Sequence, residues 1–160
     1  MPGRIVDHLT VATAIGCGIS GGVFFAFSTF VMPALRALPH PTGMTAMQAM
    51  NRKAPNPLFM TALFGSALGC LTVAIAASVD LPERRAVYQL TAAAIYLAGV
   101  VLTVAYHVPR NDALAAVRPD TVDSAQTWTR YAAAWTNANH LRALTSITAA
   151  TLLTLAARAT

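Results

Sequence analysis

The sequence predicts an all-α integral membrane protein, a four-helix bundle of apolar spans, and three observations carry that prediction. Of 160 residues, 56% are hydrophobic and only 11% are charged, with a mean hydropathy of +0.54, far from a soluble domain of this size. Residues 8–35, 54–79 and 86–109 contain no Asp, Glu, Lys or Arg. Each run exceeds the roughly 20 apolar residues that carry a helix across about 30 Å of hydrocarbon. A fourth, shorter run at 143–157 completes a span if its helix starts near Asn139 and Arg142 sits at the interface, its long stem snorkelling the charge to polar surroundings. The expectation is one domain, 1–160, with spans at about 9–32, 57–79, 86–106 and 139–157, multi-pass in a cell membrane (the inner membrane if bacterial).

The first span contains Gly16-Cys17-Gly18-Ile19-Ser20-Gly21, which satisfies the dinucleotide fingerprint by letter but follows no strand, so the glycines are read as packing. Ala14, Gly18, Gly22 and Ala26 recur every four residues as a small-residue stripe, echoed by Gly65 and Gly69, and admit close helix contact or homo-oligomerisation. Pro33, Pro39 and Pro41 end this span. Thr42 then caps a short interfacial helix whose Met44, Met47 and Met50 share one arc. Asn56 and Pro57 open the second span as cap and first helical residue. The third span stops at Pro109, a brief turn capped by Asn111 or Asp112 follows, and Asp120 or Thr121 caps one helix running to about Ala157 without Gly or Pro. That helix is roughly 55 Å long, so its first half projects beyond the membrane.

The formal charge of +5 is spread over links and ends, which reads as topology determinant and excludes nucleic acid as partner. Arg36, Arg52, Lys53, Arg110, Arg118, Arg130 and Arg142 fall on the side of the two long links, against Arg4, Arg84, Arg85 and Arg158 on the other. The excess favours the long-link side as cytoplasmic. Gly18 to Gly22 fits Gly-x-Ser-x-Gly by letter but lies inside the same apolar helix and follows no strand, no P-loop or carboxylate pair is present, and the acids lie in links, ends or, for Asp7, at the edge of the first span. Hydrolase, kinase and carboxylate-coupled transport chemistry therefore lack support.

Trp128, Tyr131, Trp135, Asn139 and Arg142 follow at steps of three, four, four and three, one face of the last helix. Such a face is either an interfacial aromatic belt with a snorkelling arginine or an aromatic-walled pocket with a cationic floor, suited to a flat phenolic or quinone-like molecule. His107 and His140 end the third span and start the fourth, at similar depth, and either imidazole can act as a general base. His140 flanks the aromatic face at about 140° from Trp135. No two histidines have ligand spacing and no Cys-x-x-Cys occurs, so no metal site is predicted. Met44, Met47 and Met50 offer thioethers suited to Cu(I), but that spacing more often means packing, as do Cys17 and Cys70 at matching depth.

Phe24-Phe25-Ala26-Phe27-Ser28, Val31-Met32-Pro33-Ala34-Leu35, Met47-Gln48-Ala49-Met50-Asn51-Arg52, Asn56-Pro57-Leu58-Phe59, Val108-Pro109-Arg110-Asn111-Asp112-Ala113-Leu114, Trp128, Trp135 and Asn139-His140-Leu141-Arg142 together resemble the anthrone oxygenase family over nearly the whole chain. The resemblance implies oxidation of an anthrone or similar polycyclic phenol to a quinone by O2, without metal, flavin or other cofactor. It departs from the family pattern at His107, where Asn is common before Val-Pro, and beside Asn139, where Thr136-Asn137-Ala138 stand and a Trp is missing. On this reading His140 or His107 removes the substrate's acidic proton. Arg142, with Asn139, Asn111 or Asn51, steadies the oxyanion, Asn56 lies nearby, and Trp128, Tyr131 and Trp135 stack the rings. The competing reading is a non-catalytic membrane protein that binds a lipid, a quinone or a partner bundle through Gly18, Gly22, Gly65 and Gly69.

Overall fold

The structure, a computed structural model, describes residues 2–81 and 83–159, which form five helices and no strand. Helix α1 runs Pro2–Ala26, passes through a π-helical turn at Phe27–Val31 and finishes as Met32–Ala37. Helix α2 is His40–Lys53. Helix α3 comprises Pro57–Met60, a π turn at Thr61–Gly65 and Ser66–Ala77. Helix α4 comprises Arg84–Leu102, a π turn at Thr103–His107 and Val108–Ala115, and α5 is the uninterrupted Ser124–Arg158.

Contrary to the sequence expectation, neither Pro33 nor Pro109 ends its helix. A π turn stands directly before each Met32-Pro33 and Val108-Pro109 pair, so each proline falls at the start of a fresh α segment, where it needs no N–H. The chain instead breaks at Leu38, held extended (φ −77°, ψ 158°), as a residue preceding proline prefers. Helix α2 then starts at His40 without a side-chain cap, so Thr42 is an interior residue. Asn111 likewise lies inside α4, and α5 begins at Ser124, later than Asp120 or Thr121. Its turn is closed by the Ser124 hydroxyl on the carbonyls of Pro119 (2.8 Å) and Thr121 (2.6 Å). Asn56 behaves as the sequence indicates, its Oδ1 accepting from the Phe59 N–H at 3.0 Å.

The four long helices close a ring in which α5 and α3 each pack against both α1 and α4. Large apolar side chains such as Ile15, Ile19, Leu68, Ile75 and Val101 point outward. Thr10, Ser20, Ser66 and Gln89 are buried inside, where Gln89 donates to Thr10 (3.0 Å) and the Tyr96 phenol reaches Ser20 and the Leu63 carbonyl. This inversion of a water-soluble arrangement fits a membrane protein, in which lipid solvates the outer face and buried polar groups pair internally. Arg4–Ala37, Pro57–Ala77 and Arg84–Ala115 are long and apolar enough to cross a membrane. Helix α5 is not among them, because Thr145, Ser146, Thr148, Thr151 and Thr154 dilute its apolar half.

Of the expected small residues, Gly69 does bring two helices together, but Gly18 and Gly22 of the α1 stripe do not. Close approach occurs at Gly16 against Ser66, Gly21 against Ile147 and Gly69 against Thr13, whereas Gly22 has no heavy atom within 4 Å of a built Cβ. The rotation of α1 is set by its polar face: Thr10, Thr13, Cys17, Ser20 and Ser28 all turn inward, where hydroxyls and thiols find partners. Cys17 and Cys70, both fully buried and free, belong to the same core cluster between the long helices.

Beyond one end of the ring, α2 lies across the tails of α1 and α4 and the first half of α5. Met32, Leu35, Met44, Met47, Leu114, Trp128, Tyr131, Ala132 and Trp135 form a second core there. Gln48 donates to the carbonyls of Leu114 and Val117, both at 2.9 Å, and so satisfies the open end of α4. Gly43 permits the layer to close, since a Cβ would collide with the Leu35 carbonyl and meet Trp128 at 3.2 Å.

Candidate functional site

The face of α5 read from sequence is buried throughout: Trp128, Tyr131, Trp135, Asn139 and Arg142 all turn inward, while His140 is exposed on the opposite side. The five nevertheless do different things. Trp128 stacks on Tyr131 (centroids 6.0 Å, planes at 21°) within the second core and lines no cavity at the site. Tyr131 and Trp135 share one acceptor, Asn111 Oδ1, at 2.8 and 3.0 Å. The Asn51 amide donates to the Tyr131 phenol at 3.2 Å. Four residues from α2, α4 and α5 thus form one polar sheet of bonds with its aromatic rings fixed. Burial raises the Tyr131 phenol above its ordinary pKa, with Asn51 pulling it down, so it stays a neutral donor to Asn111.

Beneath that network lies a cavity of about 80 Å³ to which all five helices contribute: Phe24 and Phe27, Met50 and Asn51, Phe59, Asn111, and Trp135 with Arg142. Arg142 does not snorkel. Only 6% exposed, its guanidinium lies over the Phe24 ring at 3.7 Å. It forms no ion pair, and its Nε has no hydrogen-bond partner among the described residues. A buried cation without a counter-charge is expensive, and a cation–π contact returns only part of the cost. Such a group is retained where an anion or a developing negative charge will meet it.

Asn139, fully buried, donates to the Phe24 carbonyl (2.7 Å) and the Ser28 hydroxyl (2.8 Å), tying α5 to the π turn of α1. It holds Phe24 under Arg142 and is a positioning residue. His107 closes the π turn of α4, with Nδ1 3.3 Å from the Leu102 carbonyl. A carbonyl only accepts, so Nδ1 carries the hydrogen and Nε2 keeps a lone pair. The ring is 1% exposed, stands edge-on to Trp135 (5.3 Å, 87°) and packs on Tyr106 (5.4 Å), and it does not line the cavity. The three buried side-chain atoms without a partner among the described residues are His107 Nε2, Asn139 Oδ1 and Arg142 Nε, all at this junction.

The structure therefore gathers Asn51, Asn111, Trp135 and Arg142 around the cavity, with Tyr131, Asn139 and His107 in contact with its wall residues. It leaves out His140, Trp128 and Asn56, the last of which is exposed and caps α3, donating to the Lys53 and Ala54 carbonyls at 3.2 and 3.3 Å. Met44 and Met47 are fully buried packing residues, whereas Met50 is 36% exposed at the cavity mouth. Among the described residues no group of three or more His, Cys, Asp or Glu is placed to hold a metal. Sequence reasoning missed Phe24, Phe27 and Phe59 as wall residues. The available signal was the inward register of Cys17, Ser20, Phe24 and Ser28 on α1.

The family model for anthrone oxygenase matches residues 47–152. That stretch runs from the middle of α2 through most of α5 and includes every cavity residue except those of α1. No curated protein and no solved structure matches the chain.

Proposed function

The chain belongs to the anthrone oxygenase family, and from that membership we propose that it oxidises an anthrone-like polycyclic phenol to the quinone with O2 inside the membrane. The observation that carries the reading is Arg142, a buried guanidinium with no carboxylate partner among the described residues, on the wall of a cavity it shares with Asn51, Asn111 and Trp135. In water such a cation does little for an oxyanion; in a dry site it is worth several kcal/mol of charge stabilisation.

The substrate's carbonyl oxygen points at Arg142, with the Asn51 and Asn111 amides beside it, and its rings lie along Trp135 and Phe27, which pack at 5.8 Å. His107 takes the proton from the carbon opposite the carbonyl through Nε2, leaving an enolate paired with Arg142. The enolate passes one electron to O2, and the resulting radical pair combines at that carbon to a peroxide. Loss of water across the carbon and its peroxide group leaves the second carbonyl, so anthrone plus O2 gives anthraquinone plus H2O. A three-ring ketone needs more than the present 80 Å³, since pockets for molecules of that class measure roughly 300 Å³ or more. Met50 is the flexible wall residue that swings out to admit it, and because His107 does not line the cavity, contact with Nε2 also requires Trp135 to give up its bond to Asn111 and turn aside.

Two further parts belong to this reading. Residues 139–157 of α5 make the fourth crossing, supported by Leu141, Leu144, Ile147 and Leu155, which are exposed along its outer face. A site between these helices receives an apolar substrate laterally from the bilayer and O2 from the same phase. The test is O2 uptake by the purified protein in nanodiscs with an anthrone, measured above spontaneous autoxidation, with Arg142→Met as comparison. Protein-dependent uptake that the variant loses supports the reading, and uptake equal to autoxidation refutes it.

A further inference from the structure

A second feature lies on the outside of the same end of the molecule. Helices α4 and α5 diverge beyond His107 and leave a groove of about 420 Å³ between Ala113, Leu114 and Val117 on one wall and Thr127, Tyr131 and Ala134 on the other. Arg110 and Arg130 stand on its opposite lips, and no acidic side chain lines it. The Arg110 guanidinium lies flat on the Tyr106 ring at 3.5 Å, and one nitrogen donates to the Tyr106 carbonyl at 3.4 Å. Its remaining N–H groups meet no carboxylate among the described residues. Arg130 makes no hydrogen bond or ion pair among the described residues. By contrast Arg118, nearby, is neutralised by Asp120 at 3.2 Å.

Depth decides what such a groove meets. Arg110 is the first charged residue after the charge-free run 86–109, which places it at the edge of the hydrocarbon, at the level of lipid headgroups. Arg130 sits higher on α5, and its stem is long enough to lower the guanidinium toward the same level. We infer that this groove binds the headgroup of an anionic phospholipid, its phosphate between Arg110 and Arg130 and its glycerol along Leu114 and Ala134. Two unpaired cations facing each other across an apolar floor complement a phosphodiester whose chains stay in the bilayer, and a zwitterionic headgroup would bring its own cation against them. Tyr131 forms one wall of this groove and also bonds to Asn111 of the inner cavity, so an occupied groove braces the wall of the reaction site.

The inference rests on reading the chain as a membrane protein, so it is tested on delipidated protein in detergent. Short-chain phosphatidylglycerol, short-chain phosphatidylcholine and inorganic phosphate are added separately, and thermal unfolding and native mass spectrometry are followed. The expected result is saturable stabilisation and a retained adduct with phosphatidylglycerol alone. Its affinity falls on the order of tenfold or more in Arg110→Gln/Arg130→Gln, holds partly in Arg110→Lys/Arg130→Lys, and is unchanged in Arg36→Gln, an exposed arginine elsewhere. Equal effects of the two lipids, a full effect from inorganic phosphate, or an unchanged affinity in the glutamine double variant would overturn the site. Recovery of folded protein without detergent would instead refute the membrane reading itself.

Discussion

Replacing Arg142 by Met separates a residue kept for function from one kept for stability. The guanidinium is 6% exposed, has no acidic partner among the described residues and is compensated mainly by the Phe24 ring at 3.7 Å. A desolvated cation–π contact returns about 2 kcal/mol, while removing a charge from water costs several kcal/mol even after relaxation. Met is unbranched and fills the stem's volume without a charge. The variant is therefore more stable than the native chain by about 1–3 kcal/mol, and for a protein of this size each kcal/mol raises the unfolding midpoint by about 2–4 °C. Unfolding followed by intrinsic tryptophan fluorescence in one detergent, with anthrone-dependent O2 uptake on the same samples, gives both quantities. The account predicts a raised midpoint and lost uptake, the trade expected of a site held at a cost to stability. A lowered midpoint with uptake intact would refute the reasoning and make Arg142 a structural residue.

Three further substitutions probe the frame around it. Asn139→Ala strips the Phe24 carbonyl and Ser28 hydroxyl of a shared donor and lowers stability by about 2–3 kcal/mol, seen as an earlier melt. Gly43→Ala forces a Cβ against the Leu35 carbonyl and Trp128, costing about 1–3 kcal/mol, whereas Gly22→Ala, with open space around it, leaves the melt unchanged. Gln48→Ala uncaps the end of α4 at Leu114 and Val117, costs about 1–2 kcal/mol and speeds amide exchange at residues 114–117.

What the sequence made legible was whatever follows from charge and periodicity. Charge-free runs located the three long apolar helices, the absence of Gly and Pro located α5, and steps of three and four placed Trp128 to Arg142 on one buried face. Two of the three π turns were hidden because each stands before a proline that is accommodated without ending its helix, so the sequence read Pro33 and Pro109 as stops. That error matters at the site: the turn before Pro109 ends on His107, and the turn before Pro33 contains Ser28, which Asn139 grips. Sequence periodicity also left His107 and His140 equivalent, since depth along a helix says nothing about which neighbour covers it. Only the packing of α4 against α5 buries the first and leaves the second exposed. The Ala14, Gly18, Gly22, Ala26 stripe misled for a related reason, because the inward face of α1 was set by its hydroxyls and thiol.

The most direct test of the account is the comparison of two histidines of equal sequence standing. Anthrone-dependent O2 uptake above autoxidation is measured for His107→Gln and His140→Gln in nanodiscs, each variant checked for an unchanged melt. The account predicts that His107→Gln lowers the protein-dependent rate about 10²-fold or more, the contribution of a positioned general base, while His140→Gln retains it. Loss of uptake in His140→Gln with retention in His107→Gln would contradict a site buried between α1, α4 and α5.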